Sequence, residues 1–179
     1  MKKLAVIFPG MNYNSNKPLL YYTKNILNNE EFDIVDIDYG KLPNDKMKAF
    51  EIAIVKANEK IKEISWNEYD EVLFLSKSIG TVLAGKIASE LKLPIKHIYL
   101  TPVNETIPFM NGNGIAFSGK EDPMIETSLL ISECDKKEIK LYLYDRCNHS
   151  IESGVIKEDL KILSEIINKC EEYIIKNQK

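Results

Sequence analysis

Six short apolar runs rich in β-branched residues, each separated from the next by a longer segment, constrain this chain more than any other feature. They are Leu4 to Phe8, Ile34 to Ile37, Val72 to Leu75, Ile98 to Leu100, Ile115 to Phe117 and Ile139 to Tyr144. The first five lack in/out alternation, as parallel strands covered on both faces do. The sixth sets Ile139, Leu141 and Leu143 against Lys140, Tyr142 and Tyr144, the pattern of an edge strand. Two of the intervening segments carry a clear helical period. Met47, Phe50, Ile54, Ala57, Ile61 and Ile64 recur at steps of three and four, and so do Ile156, Leu160, Leu163, Ile167, Cys170 and Ile174. Both stripes are predicted to pack on a sheet. Strand–helix alternation throughout predicts an α/β three-layer sandwich around a mainly parallel six-stranded sheet, with right-handed crossovers. No repeat, low-complexity stretch or linker divides residues 1–179, so one domain is expected. A chain of this size buries roughly 70% of its unfolded surface, enough for a sizeable core.

The charge balance excludes some functions. Net charge is −3, and among 24 basic residues only Arg146 is an arginine. There is no basic excess from which to build a nucleic-acid or anionic-membrane face. Cys134, Cys147 and Cys170 are odd in number and widely spaced. That fits reduced thiols in a cytoplasm better than a disulfide framework or a zinc site. No signal peptide is read at the start, where Leu4 to Phe8 is the only apolar run before Pro9-Gly10. No run reaches the roughly 20 apolar residues of a membrane span. A cytoplasmic protein without cofactor or metal is the expectation.

Parallel sheets collect their sites at the carboxyl ends of the strands. At one of these ends Val72-Leu73-Phe74-Leu75-Ser76-Lys77-Ser78-Ile79-Gly80-Thr81 takes an apolar strand straight into a helix, with the form small-x-Ser-x-Gly. Residues two before and two after the serine of so sharp a turn come within touching distance, and both must be small. Ser76 and Gly80 meet that demand, although glycine is usual at the first. Ser78 would then stand exposed at the positive end of a helix. The plainer reading of Ser78 is an ordinary N-cap.

The chain has two histidines. His97 starts a strand at the end away from the site and is read as structural or exposed. His149, in Asp145-Arg146-Cys147-Asn148-His149-Ser150, follows the last strand and is the candidate general base. The candidate acid is Asp122, in Ser118-Gly119-Lys120-Glu121-Asp122-Pro123, with Glu121, Asp145 and Glu105 as rivals. Asp122 can also be read as an N-cap, with Pro123 the first residue of the next helix. The order Ser, Asp, His, each after a strand, differs from the orders found on other triad-bearing folds.

With these motifs the chain resembles the α/β-hydrolase superfamily, in particular its small, lid-poor members of the dienelactone-hydrolase and small-esterase kind. The resemblance runs from Leu4 to the final helix. It implies a sheet ordered 2-1-3-4-5-6 and no cap domain, since only a short loop separates Thr101 from Gly114. It implies Ser78 as nucleophile, Asp122 as orienting acid and His149 as general base. Oxyanion donors would be the backbone amides of Met11, in Phe8-Pro9-Gly10-Met11, and Ile79.

The implied activity is hydrolysis of a small ester or thioester, with a small-molecule acyl substrate as partner and the oligomeric state open. Such activity should fall below about pH 6 to 7, where a histidine base becomes protonated. Phe109 and Met110, with Ile107 and Pro108, could wall the substrate on one side, and Asn12 and Tyr13 on the other. Arg146 could hold a substrate carboxylate, and Cys147, near His149, could make the protein sensitive to thiol reagents. Two other readings stay open. One is a non-catalytic binding protein of the same fold. The other is a nucleotide-binding protein, against which stands the absence of G-x-G-x-x-G after the first strand.

Overall fold

The strands in a computed structural model, which describes residues 1–176, are β1 (Lys3–Phe8), β2 (Phe32–Asp36), β3 (Glu71–Lys77), β4 (Ile95–Leu100), β5 (Gly114–Gly119) and β6 (Lys140–Tyr144). They form one sheet in the order β2-β1-β3-β4-β5-β6, every neighbouring pair parallel. Both the order and the direction match the sequence expectation. The α-helices are α1 (Pro18–Asn29), α2 (Lys46–Ile61), α3 (Ile79–Leu91), α4 (Thr127–Lys136) and α5 (Ile156–Lys176). A 3₁₀ helix, Asn104–Phe109, occupies the segment after β4, where no cap domain intervenes.

Alternate residues of the buried strands serve opposite faces, which is why their sequences read as continuous apolar runs. Ala5, Ile7, Leu73, Leu75, Ile98 and Leu100 pack with Leu20 and Leu27 of α1 and Ile166, Cys170 and Ile174 of α5. On the other face Leu4, Val6, Phe8, Val72 and Phe74 pack with Ala53 and Ala57 of α2 and Leu83, Ala84 and Ile87 of α3. Tyr99 and Ala116 meet Leu130 and Cys134 of α4. Each fully buried Leu, Ile or Phe contributes about 1.5–3 kcal/mol by leaving water.

Both helical stripes differ in detail from the expectation. In α5, Ile156 is 76% and Leu160 62% exposed, and the buried line is Ile166, Cys170 and Ile174. The expected stripe repeats every 3.5 residues, and such a stripe drifts about 20° per heptad around a straight helix, so its early members rotate off the sheet. In α2 the deepest line is Ala49, Ala53, Ala57 and Ile61, while Met47 is 71% exposed. Alanines let the backbone approach its neighbours closely, and Phe50 and Ile54 fill the flanks.

Candidate active site

A single residue makes the turn between β3, which ends at Lys77, and α3, which begins at Ile79. That residue, Ser78, takes φ 54° and ψ −124°, a conformation that non-glycine residues adopt only where their surroundings impose it. Gly80 makes the turn sterically possible: a Cβ there would lie 2.1 Å from the Phe8 carbonyl oxygen and 2.5 Å from that of Pro9. Ser76 is fully buried, and its Oγ donates to the Ile98 carbonyl at 3.2 Å. With its hydroxyl satisfied inside the sheet, serine is accommodated where glycine is usual. Ser78 occupies the N-cap position of α3 without making a capping bond. Its Oγ lies 2.8 Å from His149 Nε2 instead.

The candidate acid and base come from loops that are laced together. A Cβ on Gly119, at the end of β5, would lie 2.0 Å from the Cys147 carbonyl oxygen, so glycine lets the loop after β6 close over this point. The Lys120 amide donates to the Tyr144 carbonyl at 2.9 Å and the Glu121 amide to that of Cys147 at 3.0 Å. His149 Nδ1 consequently sits 2.7 Å from Asp122 Oδ2. An ionised carboxylate can only accept, so Nδ1 carries the proton and Nε2 turns its lone pair to the Ser78 hydroxyl. The Asp122 side chain is fully buried, and its Oδ1 accepts the Met124 amide at 2.8 Å. That bond closes an Asp-Pro turn ahead of α4, which begins at Thr127. Pro123 is therefore not the first helical residue, and Asp122 is not a helix cap. Of the rival acids, Asp145 pairs with Lys120 at 2.6 Å, and Glu121 and Glu105 are exposed.

A cavity of about 360 Å³ opens beside Ser78. Met11, Ile79 and Phe109 line it, as does Val82 of α3, and so do Met47 and Phe50 of α2, Val103 and Met124. Lys46, Lys86 and Glu105 are its charged lining. Ile79 is the first residue of α3, and no helical carbonyl can reach its N–H. Met11 is a central residue of a turn whose own bonds, 3.0 and 3.2 Å, use Gly10 and Tyr13.

The remaining expected lining residues lie elsewhere. Asn12 and Tyr13 line a separate cleft of about 590 Å³ over the ends of β1 and β2, with Asp36 and Asp38. The Tyr13 hydroxyl there accepts the Leu19 amide at 3.1 Å. Met110 is 3% exposed and packs with Tyr99 and Leu130 in the core. Arg146, at φ 55°, turns outward, its side chain 72% exposed and 3.3 Å from Glu158. Cys147 is fully buried, and burial raises its thiol pKa, so thiol reagents meet neither an open nor an activated group. His97 is fully buried, stacked on Tyr99 at 4.8 Å, and its Nε2 is 2.9 Å from the Asn111 side-chain nitrogen Nδ2. Desolvation lowers its pKa to about 3.

No family model and no curated protein matches the sequence. Solved structures match it in shape. One is Est1E from Butyrivibrio proteoclasticus with ferulic acid bound: TM-score 0.69, 12% identity, 97% of this chain and 88% of that one. A second is XC6422 from Xanthomonas campestris, an α/β serine hydrolase without lid: TM-score 0.60, 10% identity, 93% and 81%. A third is the Pyrococcus furiosus esterase Pf2001: TM-score 0.68, 11% identity, 98% and 83%. The chain has the α/β-hydrolase fold. At these identities the likeness is one of fold, and what this chain does must be argued from its own site.

Within the α/β-hydrolase fold, sequence reading passed over several contributions to this site, among them Val82, Val103 and Met124. Another is the wall supplied by α2, hidden because Met47 and Phe50 read as sheet-packing residues. A further one is Lys77, 2% exposed, whose signal was a lone charge between an apolar strand and the serine. Among the described residues no helix is long and apolar enough to cross a membrane, and no group of three or more His, Cys, Asp or Glu could hold a metal ion.

Proposed function

We propose that the chain is a serine hydrolase that transfers a small apolar acyl group from an ester or thioester to water through an acyl-enzyme. The observation that carries this reading is the geometry at His149, whose Nε2 is 2.8 Å from Ser78 Oγ while Nδ1 is 2.7 Å from Asp122. In the proposed reaction His149 accepts the Ser78 proton as Oγ attacks the acyl carbon, and Asp122 holds the tautomer and stabilises the imidazolium. The amides of Met11 and Ile79 receive the oxyanion, each worth about 100- to 1,000-fold in turnover. Collapse of the intermediate expels the alcohol or thiol with the proton from His149. Water, activated by the same imidazole, then releases the acid and restores Ser78.

The cavity supports the choice of acyl group. Its volume of about 360 Å³ is near the lower end of ligand sites, which run from about 300 to 1,000 Å³. Its methionines, phenylalanines and valines favour an alkyl or aryl chain. Est1E, of the same fold, holds ferulic acid, an aryl acid of the general kind such walls would accept. The test is a panel of esters and thioesters graded by acyl length, run on the wild type and Ser78→Ala. A short-to-medium apolar optimum that disappears in Ser78→Ala is expected. Equal turnover by both proteins would refute Ser78 as nucleophile, and none by either would replace this reading with a binding role for the same fold.

A further inference from the structure

The acyl-transfer reading leaves one buried cation unused. Lys77 ends β3, immediately before Ser78, and is 2% exposed. Its Nζ donates to Thr101 Oγ1 at 2.5 Å and to the His149 carbonyl oxygen at 2.9 Å, and it lies 5.0 Å from the centre of the Tyr13 ring. We propose that Lys77 is a positioning residue, whose ammonium ties the backbone of His149 to the end of β4 and so keeps the imidazole on Ser78. The proposal rests on the hydrolase reading.

Three observations support it. First, the loop carrying His149 is fixed on either side, by the Glu121 amide on the Cys147 carbonyl at 3.0 Å and by the Ser153 amide on Asp159 Oδ1 at 2.6 Å, and Lys77 holds the backbone of His149 itself between them. Second, backbone on both sides of the tie is strained: Thr101 has φ 46° and Ile151 φ 59°. β-Branched residues keep such angles only where neighbouring structure holds them. Third, a rotatable ammonium can serve two acceptors at once, and charge-assisted bonds are about twice as strong as neutral ones.

The groups facing the ammonium are Thr101 after β4, Tyr13 after β1, Asp122 after β5, and His149 and Glu152 after β6. Asp122 and Glu152 favour its charged form, but desolvation prevails and brings its pKa down to about 8. Burial raises the Tyr13 pKa, so that phenol stays neutral near pH 8. Lys77→Met removes a desolvated charge but leaves the Thr101 hydroxyl and the His149 carbonyl without this donor, so stability is expected to change as well as rate. The pH dependence of the loss, and its absence in Thr101→Ser, therefore separate positioning from a merely structural role.

The experiment measures the rate of Ser78 labelling by a fluorophosphonate between pH 6 and 9.5, with melting temperatures, for wild type, Lys77→Met, Thr101→Val and Thr101→Ser. Displacing the imidazole by about 1 Å should cost on the order of 100-fold. Lys77→Met is expected to label that much more slowly. It should also lack a downturn that the wild type shows above about pH 8. Thr101→Val should fall between, and Thr101→Ser should match the wild type. If Lys77→Met does not fold, the two Thr101 variants decide by the same criteria. A Lys77→Met rate within twofold of wild type, or a pH-independent loss accompanied by lower stability, would overturn the proposal. A wild type unlabelled at Ser78 would sink the hydrolase reading alone. The NMR signal of the His149 Nδ1 proton then decides about Lys77: a shift in Lys77→Met supports the tie, and an unchanged signal refutes it.

Discussion

Adding one methyl group at Gly80 should damage fold and chemistry together. The Cβ of Gly80→Ala would lie 2.1 Å from the Phe8 carbonyl oxygen and 2.5 Å from that of Pro9, where real contacts essentially never fall below 3.0 Å. Both obstacles are backbone, so no side chain can rotate away. The end of β1 and the start of α3 must separate by about 1 Å. Overpacking of a well-filled interior costs about 1–3 kcal/mol, and a rigid backbone obstacle belongs at the upper end. For a chain of this length, about 3 kcal/mol corresponds to a fall in melting temperature of about 6–12 °C. The same separation pulls Met11 away from Ile79, so labelling of Ser78 should slow by about 100-fold, the usual cost of a 1 Å misplacement. Calorimetry and fluorophosphonate labelling read the two effects on one preparation. A variant melting within 2 °C of the wild type and labelling within about twofold would refute the reasoning, since the elbow would not need glycine.

Three other outcomes are expected. His97 has a folded-state pKa of about 3 against 6.5 unperturbed, so the unfolded chain binds more protons between those values. Stability should fall by up to about 1.4 kcal/mol per pH unit as pH drops from about 6.5 towards 3. Denaturant melts should show that slope reduced in His97→Phe, and an equal slope in both proteins would contradict it. Asp122→Asn retains the oxygen that accepts from Met124 but offers Nδ1 an amide donor, which favours the wrong tautomer. Its kcat should drop by about 10³- to 10⁴-fold with little change in melting temperature. Met124→Trp should fill the cavity beside Ser78. Its kcat/KM should fall by at least about tenfold for the longest accepted acyl chain and little for acetyl, by steric exclusion.

What was legible in the sequence follows from what each residue's surroundings demand. Strands buried on both faces have to be apolar throughout, so β1, β3, β4 and β5 announced themselves. Their order came from the resemblance carried by the serine turn and by the succession of Ser78, Asp122 and His149. Residues that end a parallel strand or follow it closely must emerge on the carboxyl edge, which made those three identifiable as candidates. Direction beyond the edge was not legible. Arg146 is nearer to β6 than His149 is, yet a left-handed turn aims it at Glu158. Met110 and Phe109 are adjacent, and the 3₁₀ helix ending at Phe109 sends one into the core and the other to the cavity. Lys77 read as the variable residue of a motif, because only the folded chain brings Thr101 and the His149 carbonyl to its amine.

Whether folding makes the Ser78 hydroxyl a nucleophile is the central question. Intact-mass analysis after exposure to a fluorophosphonate, followed by peptide mapping, measures this. One adduct per chain, located on Ser78 and abolished by either Ser78→Ala or His149→Ala, is the predicted result. A folded wild-type protein that remains unmodified, or that carries the adduct on another residue, would contradict it.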